Sequence, residues 1–392
     1  MQAYVSHLLR LLPPRRIGIP SRVSLLAVLP LALAASTLQA QTARVMPDPR
    51  ATALIAELGL KQDQVASRDR RGWQRPRLVV VANGDADMLK RMQAMVPGVE
   101  VQALASGPAR RAQLARTEVL MGSCDPDLVT GAPKLRWIQT FWVGVESCVS
   151  VPGLAERGVL LSNAQRTSGI PIAEHAVALM LSLTRQLPAY ARSQQSGTWQ
   201  DNEGAPQPRE LTGSTLLVVG LGGIGTEVAR RAHGLGMRVI ATRNSSREGP
   251  DFVEKVGLSD EMLTLAAEAD VVVNAAPLTA ATTGIFDKGF FDTLKPGATF
   301  INIARGKSVV TDDLVAALRS GRLGGAGLDV TDPEPLTDGH PLWAMPNVII
   351  TPHVAAQSGV QSERYVLLTA ENLRRYAAGE ALLNVVDIKR GY

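Results

Sequence analysis

The chain has 392 residues, 45% hydrophobic and 20% charged, with a formal net charge of +5. That length holds two domains with cores of their own, and the composition is ordinary for a soluble globular protein. Much of the positive excess is arginine in the first 75 residues, so it is a terminal feature and argues against a nucleic-acid partner.

Arg10, Arg15, Arg16 and Arg22 lead into an apolar run over 23–35, and small residues follow near Ser36 and Ala40. This is the order of a secretory signal, so residues 1–40 are expected to be removed on export. Arg15-Arg16 stands where a twin-arginine signal has its pair, although the flanking residues match that pattern poorly. The run is short and broken by Pro30, so no membrane span is expected in the mature chain. The competing reading is a misread translation start ahead of a cytoplasmic protein.

Residues 41–76 form a polar, arginine-rich extension with one expected helix over 51–60. Apolar runs at 78–82, 118–121, 135–139 and 159–163 read as buried strands, with a helix over 87–95 and a turn at Val143-Gly144-Val145. Such alternation predicts a parallel sheet covered on both faces. The segment 171–185 is apolar at helical spacing and is expected to be a long buried helix leading to a polar loop over 194–210. Strands are then expected at 216–219, 237–241, 271–274, 299–303, 327–330 and 348–351, and a helix over 354–379. Cys124 and Cys148 show no metal-ligand spacing, and no metal site is expected. They are expected to be unpaired structural cysteines, with pairing open only in an oxidising compartment.

The most informative stretch is 216–243, which reads strand, G-x-G-x-x-G, helix, strand. Gly220 permits the tight turn, Gly222 lets backbone approach a pyrophosphate, and Gly225 lets helix pack on strand. Gly223 and Ile224, within the same motif, are further candidate cofactor contacts, and a helix is expected over 226–235 whose free N–H groups suit phosphate. A nicotinamide dinucleotide is the expected cofactor. The strand ending at Ala241 runs into Thr242, Arg243, Asn244, Ser245, Ser246 and Arg247, with no acid before Glu248. An acid there would bind the ribose 2′-OH of NAD. Arg243, Asn244 and Ser245 instead suit a 2′-phosphate, so NADP is expected in preference to NAD.

In an open α/β sheet, ligands bind outside the carboxyl ends of the strands. There this chain places Ala276 and Pro277, then Ile303, Ala304 and Arg305, then Asp329 and Glu334, then His353. Arginine, carboxylate and histidine together suit a substrate carrying both a carbonyl and a carboxylate. The guanidinium forks a carboxylate, the imidazole delivers a proton, and a glutamate bonded to the ring favours imidazolium.

These motifs in order, from LRWIQTFWVGVE through SNAQRTSGIPIAEHAVALMLSLTR, VVGLGGIG, NIARGKSV and GAGLDVTDPEPL to TPHVA, resemble the D-isomer-specific 2-hydroxyacid dehydrogenases. The resemblance spans roughly 78–386 and points to the glyoxylate and hydroxypyruvate reductases among them. It implies an α/β chain of two doubly wound parallel-sheet domains, a Rossmann-type cofactor domain and a flavodoxin-like substrate domain. It implies Arg305, Glu334 and His353 as catalytic residues and Asp329 at the nicotinamide carboxamide. Val143 and Gly144 match the cradle for the substrate carboxylate. It also brings the C-terminal helix back to the first domain, giving a substrate domain of 77–185 plus 355–392 and a dinucleotide-binding domain of 186–354. A homodimer is implied as well. Trp142 stands where many relatives carry a small residue, so it either restricts substrate size or packs. The expected reaction is NAD(P)H-dependent reduction of a small 2-oxo acid to the D-2-hydroxy acid. The alternatives are another acceptor such as phosphoglycerate, or a dinucleotide-sensing corepressor-like protein.

Overall fold

The computed structural model describes residues 45–199 and 207–391. The export signal expected over 1–40 lies outside them. Five short strands come first: β1 (Leu78–Val81), β2 (Glu100–Ala103), β3 (Val119–Met121), β4 (Trp137–Gln139) and β5 (Leu160–Ser162). They pair in the order β2-β1-β3-β4-β5, all parallel. Seven follow: β6 (Thr215–Val219), β7 (Arg238–Thr242), β8 (Lys255–Gly257), β9 (Val271–Asn274), β10 (Ala298–Asn302), β11 (Leu323–Leu328) and β12 (Val348–Ile350). Their order is β12-β11-β10-β9-β6-β7-β8, again all parallel. The fold is therefore two doubly wound α/β domains, and the larger sheet reverses direction of winding between β6 and β9. Among the described residues no helix is long and apolar enough to cross a membrane.

The strands form where near-continuous apolar runs can be buried on both faces. Val79 and Val80 in β1, and Leu216, Leu217 and Val218 in β6, are fully buried. Two edge strands carry no such run, and periodicity did not predict them. β2 reads Glu-Val-Gln-Ala and is mostly open to solvent, and β8 is only three residues long. β11 begins at Leu323, four residues earlier than its pattern predicts, because Gly324 and Gly325 interrupt the apolar signal. Those glycines are there for space. A Cβ on Gly324 would stand 2.5 Å from the Gly297 carbonyl oxygen, and one on Gly327 would stand 3.0 Å from Leu179 Cβ.

Leu179 belongs to the long helix Gly169–Thr184, whose Ile172, Ala176, Met180 and Leu183 pack with Val218 and Ile301 of the larger sheet. The domain bounds derived from sequence grouped this helix with the first sheet; its packing partners are in the second. The polar loop after it is preceded by a further helix, Leu187–Gln195. The C-terminal helix runs over Gln361–Ala378, shorter at its start than 354–379. It packs Leu373, Tyr376 and Ala377 on Val79 and Trp137 of the first sheet. In the extension a helix spans Pro49–Leu58; Asp48 caps it by accepting from the Arg50 N–H at 2.8 Å, and Gly59 ends it in the left-handed conformation. Its Leu54 and Leu58 pack against Leu367 and Leu368 of the C-terminal helix.

The expectation for the cysteines is corrected. Cys124 and Cys148 form a disulfide, with Cα atoms 4.9 Å apart. They are 24 residues apart in sequence, and parallel pairing of β3 with β4 brings the two following loops side by side. Sequence spacing alone does not show that juxtaposition.

Candidate active site

The glycine turn after β6 is held by backbone packing. Gly220 has φ 95°, and a Cβ there would lie 2.7 Å from Ala276 N and Cα, in the loop after β9. A Cβ on Gly225 would lie 2.1 Å from the Gly220 carbonyl oxygen. The turn after β6 and the loop after β9 thus touch where the strand order reverses. Gly222 differs from both: a Cβ there would meet nothing within 4 Å. Its bareness serves open space at the N-terminus of helix Gly223–Gly234, which carries Ile224. A dinucleotide pyrophosphate fits that space and those free N–H groups.

At the end of β7, the Arg243 N–H donates to the Gly257 carbonyl at 2.9 Å. The Arg243 side chain donates from Nε to Ser245 Oγ at 3.0 Å and from Nη1 to the Glu248 carbonyl at 3.0 Å. Arg247, the second positive charge in this loop, is ion-paired with Glu261. Asn244 Oδ1 accepts from Ser259 Oγ at 3.3 Å.

A buried amide network sets the loop after β10. Asn274 Nδ2 donates to Asn302 Oδ1 at 3.0 Å and to Ser308 Oγ at 2.8 Å. Asn302 Nδ2 and Ser308 Oγ both donate to the Arg305 carbonyl, at 3.0 and 2.7 Å. Asn274 and Asn302 also cap the next turns, accepting from Ala276 N and Ala304 N at 3.1 Å each. Pro277 follows Ala276 at the mouth of the same turn, and Ile303 and Ala304 are buried. Gly306 has no room for any side chain, because its Cβ would stand 1.9 Å from the Thr331 carbonyl oxygen.

Glu334 and His353 meet as expected, with Glu334 Oε1 2.6 Å from His353 Nδ1. Both are a little under half exposed. His353 sits at φ 54°, uncommon for a residue with a side chain. Its N–H donates to the Asp329 carbonyl at 2.8 Å. The buried Asp329 carboxylate holds the same segment: Oδ1 accepts from Thr351 Oγ1 at 2.6 Å and from Val354 N at 2.9 Å, and Oδ2 from Ala355 N at 3.1 Å. His175, on the long helix, adds its Nε2 2.9 Å from Thr351 Oγ1. Because that hydroxyl spends its proton on Asp329, the ring nitrogen must be the donor. His175 escaped the sequence reading because it lies inside an apolar helix more than 170 residues from its partner.

Across from Arg305 stands the loop after β4. The Trp142 carbonyl accepts from Thr140 Oγ1 at 2.8 Å and from Ala164 N at 3.0 Å, and the Val143 carbonyl accepts from Asn163 Nδ2 at 2.8 Å. The Trp142 residue is 40% exposed. A Cβ on Gly144 would collide with Arg305 Nη2, at 1.7 Å. One residue in this loop was missed. Glu146 pairs with Arg305, Oε1 to Nε at 3.1 Å and Oε2 to Nη2 at 3.4 Å. The arrangement can bind a carboxylate, donate a proton beside it and hold a dinucleotide on the same sheet edge.

Known proteins resemble this chain in sequence and in fold. The NAD-binding-domain model of the D-isomer specific 2-hydroxyacid dehydrogenases matches residues 177–355. The human glyoxylate reductase/hydroxypyruvate reductase is 36% identical over 256 residues, 63% of this chain and 76% of that protein. The D-3-phosphoglycerate dehydrogenase of Archaeoglobus fulgidus is 33% identical over 265 residues, 67% of this chain, and the match spans only 49% of its length. The chain thus spans about half the length of this dehydrogenase. A crystal structure of an NADPH-dependent glyoxylate/hydroxypyruvate reductase from Sinorhizobium meliloti, in complex with NADP and sulfate, superposes with a TM-score of 0.70. It is 30% identical, and the likeness covers 81% of this chain and 100% of that one.

Proposed function

Because the chain belongs to the D-isomer-specific 2-hydroxyacid dehydrogenases, a family of NAD(P)-dependent oxidoreductases, we propose that it reduces a small 2-oxo acid of glyoxylate or hydroxypyruvate size to the D-2-hydroxy acid. The observation that carries this reading is the Glu334–His353 pair at 2.6 Å on the sheet edge that also presents Arg305. Arg305 binds the substrate carboxylate, and the backbone at Val143 and Gly144 closes over the same group. Glu334 occupies Nδ1 of His353, which leaves Nε2 to give its proton to the substrate oxygen as the carbonyl becomes an alcohol. The nicotinamide, when bound, supplies the hydride. Asp329 and His175 fix the backbone on which His353 rides, so the ring's position is inherited from the buried network. Trp142 narrows the entrance and favours short substrates.

The same reading takes NADPH over NADH, supported by Arg243 and Ser245 at the end of β7 and by the absence of an acid there. It includes an exported mature chain acting as a homodimer. The Cys124–Cys148 disulfide supports the oxidising compartment. Turnover of a 2-oxo acid panel, glyoxylate, hydroxypyruvate, pyruvate and phosphohydroxypyruvate, with each cofactor tests the activity. Reduction of only the phosphorylated acid would replace the proposed substrate with phosphoglycerate chemistry, and no turnover would leave a dinucleotide-sensing protein. Light scattering tests the dimer, and N-terminal sequencing of protein from its native host tests export.

A further inference from the structure

Arg305 has five N–H groups. One N–H of Nη2 goes to Glu146 Oε2 at 3.4 Å, Glu146 Oε1 lies 3.1 Å from Nε as an ion-pair contact, and one N–H of Nη1 goes to the Ala304 carbonyl at 2.7 Å. One N–H is left on each terminal nitrogen, the number a carboxylate needs for a two-point contact. Glu146 comes from the first domain and Arg305 from the second, so the pair spans the two. The glutamate is itself tied down. It opens the short helix Glu146–Val149, preceded by the buried Val145 and anchored through Cys148 to Cys124. Gly144 faces Nη2 so closely that any side chain would push the guanidinium away.

We propose that Glu146 is a positioning residue that pairs with the Nε edge of Arg305 from the opposite domain and so presents the remaining N–H of each terminal nitrogen to the substrate carboxylate. This deepens the proposed function and rests on it. Glu146 and Arg305 are each about one-third exposed, and an ion pair so open to water adds little to folding. Its consequence therefore falls on orientation. An ungripped guanidinium rotates about its last side-chain bonds, and the fork must be reassembled each time substrate arrives.

The test compares the wild type with Glu146→Gln and Glu146→Asp in the full chain. Steady-state kinetics with NADPH and glyoxylate is read beside oxalate binding to the NADPH complex by calorimetry. Glu146→Gln should raise KM and the oxalate Kd roughly tenfold, with a smaller change in kcat. NADPH affinity and the unfolding midpoint should stay put, and Glu146→Asp should recover part of the loss. A Glu146→Gln variant that binds oxalate more tightly would show the glutamate to be a competitor for the fork, and overturn the proposal. Unchanged constants, or losses shared equally by NADPH binding and stability, would overturn it too. Should Glu146→Gln fail to fold, Glu146→Asp alone decides, by a raised or an unmoved oxalate Kd. A wild type that binds oxalate but reduces no 2-oxo acid defeats the proposed function only, while normal turnover with an indifferent Glu146 defeats the inference only. A wild type that does neither defeats both.

Discussion

The turn after β6 and the loop after β4 both lie at the carboxyl ends of parallel strands, yet they are held in different ways. In the first, backbone meets backbone: Gly220 against Ala276, and Gly225 against the Gly220 carbonyl. In the second, side chains from distant parts of the chain hold the backbone. Asn163 bonds the Val143 carbonyl, the Cys124–Cys148 bridge anchors the helix beyond, and Glu146 reaches Arg305, 159 residues away. A turn of the first kind must write its requirement into adjacent residues, since only glycine fits. A loop of the second kind leaves almost no local trace.

The comparison is sharpened first by the bridge. Cys148→Ala, or reduction of the bridge, removes a cross-link over 24 residues. The loss expected is about 3.5 kcal/mol of unfolding free energy by the loop-entropy argument, read in a denaturant titration. NADPH binding should survive, because the bridge lies in the other domain; its loss would erase the distinction between the two regions. The second change acts on the cofactor turn. Gly225→Ala sets a methyl group 2.1 Å from a carbonyl oxygen with no flexible neighbour to yield. About 3 kcal/mol of strain is expected, read as a loss of unfolding free energy in the same denaturant titration. Gly222→Ala, whose Cβ meets nothing within 4 Å, should leave the unfolding midpoint alone. If it destabilised the protein as much as Gly225→Ala, the backbone-packing account would fail.

Smaller still is the effect expected at His353, the proposed proton donor. His353→Ala should lower kcat by about a hundredfold with NADPH affinity intact; turnover near that of the wild type would remove His353 from its role.

The same contrast explains what could be seen in the sequence. The central strands and the glycine turn were legible because burial on both faces and forbidden Cβ positions act on neighbouring residues. Arg305, Glu334 and His353 could be singled out as candidates because each lies in the loop that follows a strand of the larger sheet. The edge strands β2 and β8 were not, since an edge needs no apolar run. Nor were the disulfide, His175 and Glu146, since each depends on which strands become neighbours. Gly324 and Gly325 hid the start of β11 for a related reason: the close approach of other backbone removed the very side chains that mark a strand.

The last and smallest effect concerns the choice of dinucleotide, and it tests whether side chains matter in the region otherwise ruled by backbone. Arg243 ends β7 with Nε on Ser245 Oγ and Nη1 on the Glu248 carbonyl. These bonds hold the side chain along the loop and leave N–H groups over for a phosphate. Arg247 contributes less than its charge implies, because Glu261 pairs with it. Arg243 is therefore the cation of this loop proposed to meet a 2′-phosphate. Losing one charge-assisted contact of this kind costs about 1.5 kcal/mol, so Arg243→Ala should lower kcat/KM with NADPH roughly tenfold. NADH carries no 2′-phosphate, and its kcat/KM should scarcely move. Both are measured on the same 2-oxo acid. A wild type that prefers NADH, or a variant weakened equally toward both cofactors, would mean that Arg243 only braces the loop and that backbone contacts alone select the dinucleotide.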